Sequence, residues 1–416
     1  MKIAYHTLGC KLNFAETSTY RRAFEAAGCE SVPWSRDDAD IYLLNTCAVT
    51  MVAEKKSRGL IRNVHRRSPA AGIVVTGCYA QLRPDEILAL DGVVRVFSSE
   101  EKPSLVSTVL SLSAASAAIH EEATKESILA AYSAGDRTRS FLKVQDGCDN
   151  FCAYCTVPYA RGRSRSLPLC EVVRQAQEIA AAGVKEIVLT GVNTGDFGRK
   201  NGESFLDLLK ALNEVEGIAR YRISSIEPNL LTDEIIDWIA TAGTKFLPHF
   251  HIPLQSGSDE VLKLVGRRYD TALFASRIDR IREKMGNKVF FGIDVIAGLP
   301  GETPERFEES YRFLAERIRP AFLHVFPYSP RPGTRAAKMP GQVQDRVKTE
   351  RVAALEALCE KLHTEFVSSC RGMEETVLWE AACKDGRMEG YTGNYIRQER
   401  AYDPSLAGCL QKIIIQ

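Results

Sequence analysis

The chain lacks any run of the roughly 18 consecutive apolar residues that a transmembrane helix needs, so nothing in it reads as a membrane span. Its opening, MKIAYHTLGCKLNF, has no long apolar stretch after the lysine and passes directly into strand-like sequence, unlike a secretory signal. A cytoplasmic location is therefore expected, where cysteines are metal ligands more often than disulfides. An excess of one charge is missing too. Lys and Arg number 54 against 53 Asp and Glu, a net charge of +1, so any nucleic-acid surface has to be a local patch. Apolar content of 45% and charged content of 26% exclude nothing among globular proteins. A length of 416 residues suggests two or three domains, each with ample core.

Cysteine, by contrast, is plentiful at 12 residues. Cys148, Cys152 and Cys155 stand as C-x3-C-x2-C in GCDNFCAYCTVPYARGR. Closely spaced soft thiolates suit a [4Fe–4S] cluster. Three ligands leave one iron without a protein donor, open to a small molecule. A structural zinc knuckle would need a fourth Cys or His nearby, and Cys170 stands without a partner beside it. Incidental buried cysteines are the bland alternative.

The N-terminal third alternates strand-like stretches (2–7, 40–45, 72–76 and 93–97) with helical ones (13–27, 52–67 and 84–90), which argues a doubly wound parallel sheet. Ligands gather at the carboxyl ends of such strands. Cys10, Cys47 and Cys78 follow the first three strands. One such cysteine is most simply a small apolar cap on a turn. Three in the same position favour a second metal centre. Cys29, which follows a helix, is taken as structural, as are Cys359, Cys370, Cys383 and Cys409.

Residues 118–138 read as a linker. From residue 141, six strand candidates (FLKVQ, EIVLT, RYRIS, HFHIP, KVFFGIDVI and FLHVF) alternate with helices, matching a partial (βα)6 barrel with the cysteine loop after its first strand. The strand ends carry LTGVNTGDFG, with Gly191, Asn193, Gly195 and Gly198; RISSIEP, with Ser224, Ser225 and Glu227; HIPLQSGS, with Gln255 and Ser256; and GIDVIAGLPGET, with Ile296, Gly298 and Gly301. Turn glycines and helix caps explain any one of these. Four at one rim favour a site. Tyr154 suits packing on a bound adenine or an ordinary core.

AEKKSRGLIRNVHRR places Lys55, Arg58, Arg62 and Arg66 at helical spacing, as a solvated face or a grip on phosphates. Arg161, Arg163 and Arg165 present the same choice, or pair with acidic neighbours. After an amphipathic helix over 343–370, VLWEAA, YTGNYIRQ and LQKIIIQ read as short strands.

Taken in order, TLGCKLN, NTCAVT, TGCYAQ, GCDNFCAYCTVPYARGRSRS, LTGVNTGDFG, RISSIEP, HIPLQSGS, GIDVIAGLPGET and FPYSPRPGT resemble the radical S-adenosylmethionine (SAM) methylthiotransferases over essentially the whole chain. TLGCKLN, with Lys11 directly after Cys10, looks like the branch acting on N6-threonylcarbamoyladenosine in tRNA. The isopentenyladenosine branch is more like FGCQMN, and the ribosomal-protein branch more like LGCPKN.

The resemblance implies an α/β chain in three parts. These are an N-terminal doubly wound domain over 1–117, a radical SAM barrel over 139–370, and a short TRAM-like β domain over 371–416. It also implies two [4Fe–4S] clusters, one on Cys10, Cys47 and Cys78 and one on Cys148, Cys152 and Cys155. SAM would be held by Tyr154, Gly191, Asn193, Ser225, Glu227, Gln255 and Ile296. The implied reaction uses two SAM molecules, one methylating a sulfur and the other yielding a radical that takes hydrogen from adenine C2. Its implied partners are a tRNA anticodon loop, a reducing donor such as flavodoxin or ferredoxin, and a sulfur source, with no membrane. The alternatives are isopentenyladenosine or a ribosomal-protein aspartate as substrate, or a non-catalytic Fe–S or zinc RNA-binding protein.

Overall fold

The computed structural model describes residues 1–113, 128–135 and 137–416. The chain divides into two compact units, one of Met1–Asp136, Phe141–Asp149 and Cys155–Leu167, the other of Arg137–Ser140, Asn150–Tyr154 and Pro168–Gln416. Among the described residues no helix is long and apolar enough to cross a membrane.

The first unit is built on a parallel sheet of β1 (Lys2–Thr7), β2 (Glu30–Val32), β3 (Ile41–Thr46), β4 (Gly72–Gly77) and β5 (Val93–Val96), in the order β2-β1-β3-β4-β5. Helices α1 (Lys11–Ala26), α2 (Met51–Arg67) and α3 (Cys78–Leu82) follow β1, β3 and β4. Ile3, Ala4, Leu43, Leu44, Val74 and Val75 are fully buried, because a parallel sheet is covered on both faces and its central strands are apolar throughout. The chain winds outward from β1 to β2, then back past β1 to β3. That reversal makes the carboxyl ends of β1 and β3 a topological switch point, where open α/β sheets bind ligands. The three-residue edge strand β2 escapes the periodicity reading because it is too short to alternate.

Residues 118–127 and 136 of the expected linker lie outside the described residues. In the remainder, Tyr132 bridges Leu142, and the Ser133 amide donates to the Phe141 carbonyl at 3.0 Å. The chain continues through β6 (Arg139–Lys143). β7 (Gln145–Asp146) then pairs antiparallel with β8 (Arg165–Ser166) at the base of the cysteine loop.

In the second unit β9 (Glu186–Thr190) pairs in parallel with β10 (Arg220–Ile223), and β11 (His249–Gln255), β12 (Phe290–Ala297) and β13 (Phe322–Pro327) form a second parallel set. A single bridge from Tyr221 to Phe246 joins β10 to the chain entering β11. The six barrel strands expected from the sequence are all present. Phe250, Ile252, Phe291, Ile293 and Val295 are at most 2% exposed, with Phe291 beneath Arg282 of the helix Thr271–Met285. Alternation turns Asp294 and Ile296 to the opposite, inner face.

The C-terminal strands β14 (Glu374–Lys384), β15 (Arg387–Tyr391), β16 (Arg397–Ala401) and β17 (Leu410–Ile414) form an antiparallel sheet ordered β16-β15-β14-β17. The expected strand YTGNYIRQ instead runs from the end of β15 through a turn over 392–396 into the start of β16. Thr392 accepts from the Ile396 amide through its hydroxyl at 2.8 Å, and Tyr395 adopts φ +63° where Gly393 and Asn394 break the strand. Arg220 and Arg222 anchor this sheet to the barrel. Glu186 pairs with both, and their remaining N–H groups donate to the carbonyls of Thr376, Tyr391, Thr392 and Gly393 at 2.7–2.9 Å. Glu186 and Arg220 open their strands, so the β sheet covers the end of the barrel opposite the carboxyl-end rim.

Candidate active site

Cys10 caps the N-terminus of α1, Cys47 follows β3 directly, and Cys78 opens α3 straight after β4. Because β1, β3 and β4 are adjacent and parallel, the three thiols leave the same edge of the sheet. Two glycines permit the approach. A Cβ on Gly9 (φ +101°) would lie 2.8 Å from Cys47 Cβ, and one on Gly77 (φ +98°) 2.4 Å from the Thr46 carbonyl oxygen. Asn13, 1% exposed, ties the loops together by donating to the carbonyls of Leu8 at 2.8 Å and Thr46 at 2.9 Å.

Burial pushes the Cys47 thiol up to about 11, with Cys78 and Cys10 adding to the rise, and burial raises Cys78 as well. Such thiols ionise when a metal replaces the proton. Among the described residues these sulfurs are not all gathered within 4.8 Å of one another.

Behind the trio lies a buried ionic network. Glu16 is held by Lys102 at 2.7 Å, Lys143 at 2.8 Å and Arg161 at 3.3 Å, and Asp146 by Lys143 at 2.7 Å and Arg161 at 2.9 Å. All five are less than 5% exposed. Arg161 also donates to the Asn13 side-chain oxygen. Burial alone would lower the Arg161 pKa, but Asp146, Cys78, Glu16 and Cys10 outweigh it and hold the guanidinium well above its ordinary value. This corrects the expected role of Arg161 on RNA phosphates. It is 3% exposed and committed to two carboxylates, so it faces the thiols and not solvent.

The second cysteine motif is shared between the units, with Cys148 and Cys155 in the first and Cys152 in the second. In the first, the Cys148 amide donates to the Gly162 carbonyl at 3.1 Å, and Cys155 Sγ accepts from the Val157 amide at 3.4 Å. In the second, Cys152 Sγ accepts from Arg267 at 3.2 Å. Arg267 also pairs with Glu227 at 2.8 Å.

Glu227 is a polar hub for the expected SAM residues. Its carboxylate accepts from Asn150 at 2.7 Å and Asn193 at 3.1 Å, and its amide donates to the Asn193 side-chain oxygen at 3.2 Å. Ser225, partly exposed, offers its carbonyl to the Thr194 amide at 3.0 Å. Gly191 lies partly exposed just after β9. Gln255 ends β11 with φ +74°, a strained conformation that for a non-glycine residue marks functional sites. Tyr154 and Ile296 pack against one apolar cluster of Ala153, Val261, Leu299 and Tyr328. Arg267 and Asn150 were missed in the sequence. Arg267 follows a helix in LVGRRYD and reads as a C-terminal cap, and Asn150 sits among the cysteines, which dominate that segment.

On α2, Ser57, Ile61 and Val64 face inward, while Lys55, Arg62 and Arg66 are exposed. Arg58 differs from its neighbours, since it is bound to Glu86 at 3.0 Å and to the Tyr79 hydroxyl at 2.8 Å. Arg163 is exposed and lies 3.6 Å from Asp149, while Arg165 donates to the Arg161 carbonyl at 2.8 Å.

Residues 142–314 match the Radical SAM superfamily, and residues 2–99 match an uncharacterized protein family, UPF0004. The chain is 41% identical to the threonylcarbamoyladenosine tRNA methylthiotransferase MtaB of Bacillus subtilis, covering 95% of this chain and 89% of that protein. It is 36% identical to the protein of that name from Aquifex aeolicus, over 96% and 97% of the two chains. Identity to the tRNA-2-methylthio-N(6)-dimethylallyladenosine synthase of Syntrophus aciditrophicus is 32%, over 93% and 85%. The fold is similar to the radical SAM methyltransferase TsrM of Kitasatospora setae, with a TM-score of 0.58 at 13% identity over 93% of this chain and 80% of that one. Adjacent strand-end cysteines on one sheet, a radical SAM match over the barrel and these full-length relatives agree, and the chain belongs to the radical SAM methylthiotransferase family, with the threonylcarbamoyladenosine tRNA methylthiotransferases.

Proposed function

We propose that this protein converts N6-threonylcarbamoyladenosine beside a tRNA anticodon into its 2-methylthio form, in the cytoplasm, drawing on a reducing donor such as flavodoxin or ferredoxin and on a sulfur source. The observation that carries the reading is the placement of Cys10, Cys47 and Cys78 after adjacent parallel strands at one edge of a sheet, in a chain that also bears C-x3-C-x2-C in its radical SAM region. Identity of 41% to a threonylcarbamoyladenosine enzyme against 32% to a dimethylallyladenosine enzyme favours the first substrate.

Residues 1–117 form the sulfur-transferring domain, 139–370 the SAM-cleaving domain and 371–416 an appended β domain. Cys10, Cys47 and Cys78 hold one [4Fe–4S] cluster, and Cys148, Cys152 and Cys155 hold the other with one iron open to SAM. Bound together, the clusters and SAM supply an electron, removal of hydrogen from adenine C2 and delivery of a methylthio group. Asn193, Ser225, Glu227 and Gln255 orient the polar groups of SAM, while Tyr154, Ile296 and the backbone at Gly191 border its adenine. Arg267 presents a cation to Cys152 and fixes Glu227. Lys55, Arg62, Arg66, Arg163 and Arg165 meet tRNA phosphates, and an unstacked loop base enters the site.

The test is the triple variant Cys10→Ala, Cys47→Ala, Cys78→Ala, reconstituted anaerobically beside wild type. It should bind about half the iron, still release 5′-deoxyadenosine with a strong reductant, and form no 2-methylthio nucleoside on tRNA carrying threonylcarbamoyladenosine. Methylthiolation near the wild-type rate would remove the N-terminal trio from the mechanism.

A further inference from the structure

The buried network behind Cys10, Cys47 and Cys78 holds Lys102, Lys143 and Arg161 against Glu16 and Asp146, a surplus of one positive charge. Lys102 and Lys143 lie against carboxylates at 2.7–2.8 Å. Arg161 spans both sides of the network. It meets Glu16 at 3.3 Å and Asp146 at 2.9 Å, and it also reaches toward the thiols. Its guanidinium keeps its charge in any surroundings a protein offers.

The link to the thiols runs through Asn13. Arg161 donates to the Asn13 side-chain oxygen, and Cys10 Sγ lies 4.0 Å from that same oxygen. The amide is held in this orientation, because its nitrogen donates to the carbonyls of Leu8 at 2.8 Å and Thr46 at 2.9 Å. Thr46 directly precedes Cys47, and Ala160, beside Arg161, packs in one apolar cluster with Cys78 and Tyr79. Burial raises the Cys47 and Cys78 thiols, and the Arg161 charge acts against that rise in both. All of these residues belong to the first unit.

The donor set fits a [4Fe–4S] cluster. Three soft thiols leave one sheet edge, and Gly9 keeps room beside Cys47, since a Cβ on it would stand 3.0 Å from Cys47 Sγ. Reduction of such a cluster by one electron breaks no bond and adds one negative charge. A fixed cation nearby favours the more negative state and so raises the potential. Salt screens a surface charge, but a guanidinium that is 3% exposed escapes most of that screening.

We propose that Arg161 is a positioning residue that sets the reduction potential of the cluster held by Cys10, Cys47 and Cys78, raising it into the range of a low-potential one-electron donor. This rests on the function proposed above. Arg161 acts through Asn13 and through the buried interior, without touching substrate. Glu16 opposes it from the same network, so the two side chains pull the potential in opposite directions.

The test uses the full chain with Cys148, Cys152 and Cys155 replaced by Ala, so that anaerobic reconstitution loads only the N-terminal trio. A mediated dithionite titration, followed by visible bleaching and by the electron paramagnetic resonance signal of the reduced cluster, gives the potential per cluster loaded. Arg161→Met should lower the reduced-to-oxidised ratio at a fixed potential by about tenfold, a shift of about 59 mV to lower potential. Arg161→Lys, which keeps the charge, should stay nearer wild type, and Glu16→Gln should shift the potential upward. An Arg161→Met potential equal to wild type, with or without a loss of cluster content, overturns the assignment and leaves the proposed function standing. So do shifts of the same sign in Arg161→Met and Glu16→Gln, which a general loosening of the site would produce. Where Arg161→Met takes up too little cluster to titrate, a Glu16→Gln potential at or below wild type is the overturning result. A cluster content no higher than that of a chain also lacking Cys10, Cys47 and Cys78 overturns the trio as a cluster site, and the proposed function with it.

Discussion

Replacing Arg161 by Met keeps most of the side-chain volume and removes the charge at the junction of the thiol trio and the buried network. The network holds three cations, Lys102, Lys143 and Arg161, against two carboxylates, Glu16 and Asp146. The surplus positive charge is what the metal-bound thiolates of Cys10 and Cys78 would neutralise. Removing one member of a buried ion pair costs about 3–5 kcal/mol, mostly because its partner is left uncompensated. Here Lys143 remains within 2.8 Å of both carboxylates and Lys102 at 2.7 Å from Glu16, which places the cost at the lower end, about 3 kcal/mol. For a unit of this size that corresponds to roughly 6–12 °C in melting temperature.

The measurement is a thermal melt of iron-free protein, followed by iron and sulfide content after reconstitution. Arg161→Met should melt earlier by that amount and retain less iron, with the deficit absent in a background that already lacks Cys10, Cys47 and Cys78. Its tRNA affinity should keep the wild-type salt slope, because a buried guanidinium releases no counterions from phosphate. A melting point within about 2 °C of wild type, together with a flattened salt slope, would refute the burial argument and return Arg161 to the RNA surface.

Two further outcomes follow from the same geometry. Although burial pushes Glu16 and Asp146 upward, Lys102, Lys143 and Arg161 hold both carboxyls below their ordinary values of 4.5 and 3.8. A depressed folded-state value stabilises above the unfolded pKa, and that stability is lost as pH falls below it. The urea midpoint of the iron-free protein should therefore be level between about pH 7 and 5 and fall below about pH 4.5, less steeply in Glu16→Gln; a midpoint that rises on acidification contradicts the sign. On α2, Lys55→Ala with Arg62→Ala should flatten the salt dependence of tRNA binding by about 0.9 for each phosphate no longer neutralised. Arg58→Ala should leave that slope unchanged, since its charge is already paired with Glu86; equal effects from both variants would show that the whole helix face binds RNA.

The thiol trios were legible in the sequence because their signal is local. A cysteine directly after a strand occupies the sheet's carboxyl edge whatever the rest of the chain does, and three closely spaced cysteines within one loop need no tertiary information to be noticed. Charged residues carry no such signal. Arg161 sits in PYARGRSRS with Arg163 and Arg165 two and four residues on, yet only Arg161 is withdrawn from solvent. What separates them is Glu16, 145 residues away, and Asn13, 148 residues away, both brought beneath the trio by the helix that begins just after Cys10.

Arg58 is likewise set apart by distant partners, its guanidinium engaged by Tyr79 and Glu86 from beyond the next strand. His251, Asp294 and His324, on the inner face of β11–β13, follow this logic too. HIPLQSGS and GIDVIAGLPGET drew notice through their strand-end Gln255 and Ile296, while His251 and Asp294 lie mid-strand, where a polar residue has no local reason to stand. A polar side chain in mid-strand of a parallel sheet needs a partner across the sheet or a ligand. His251 and Asp294 supply that partner for each other, and His324 beside them has its ring against His251 on one side and Phe322 on the other.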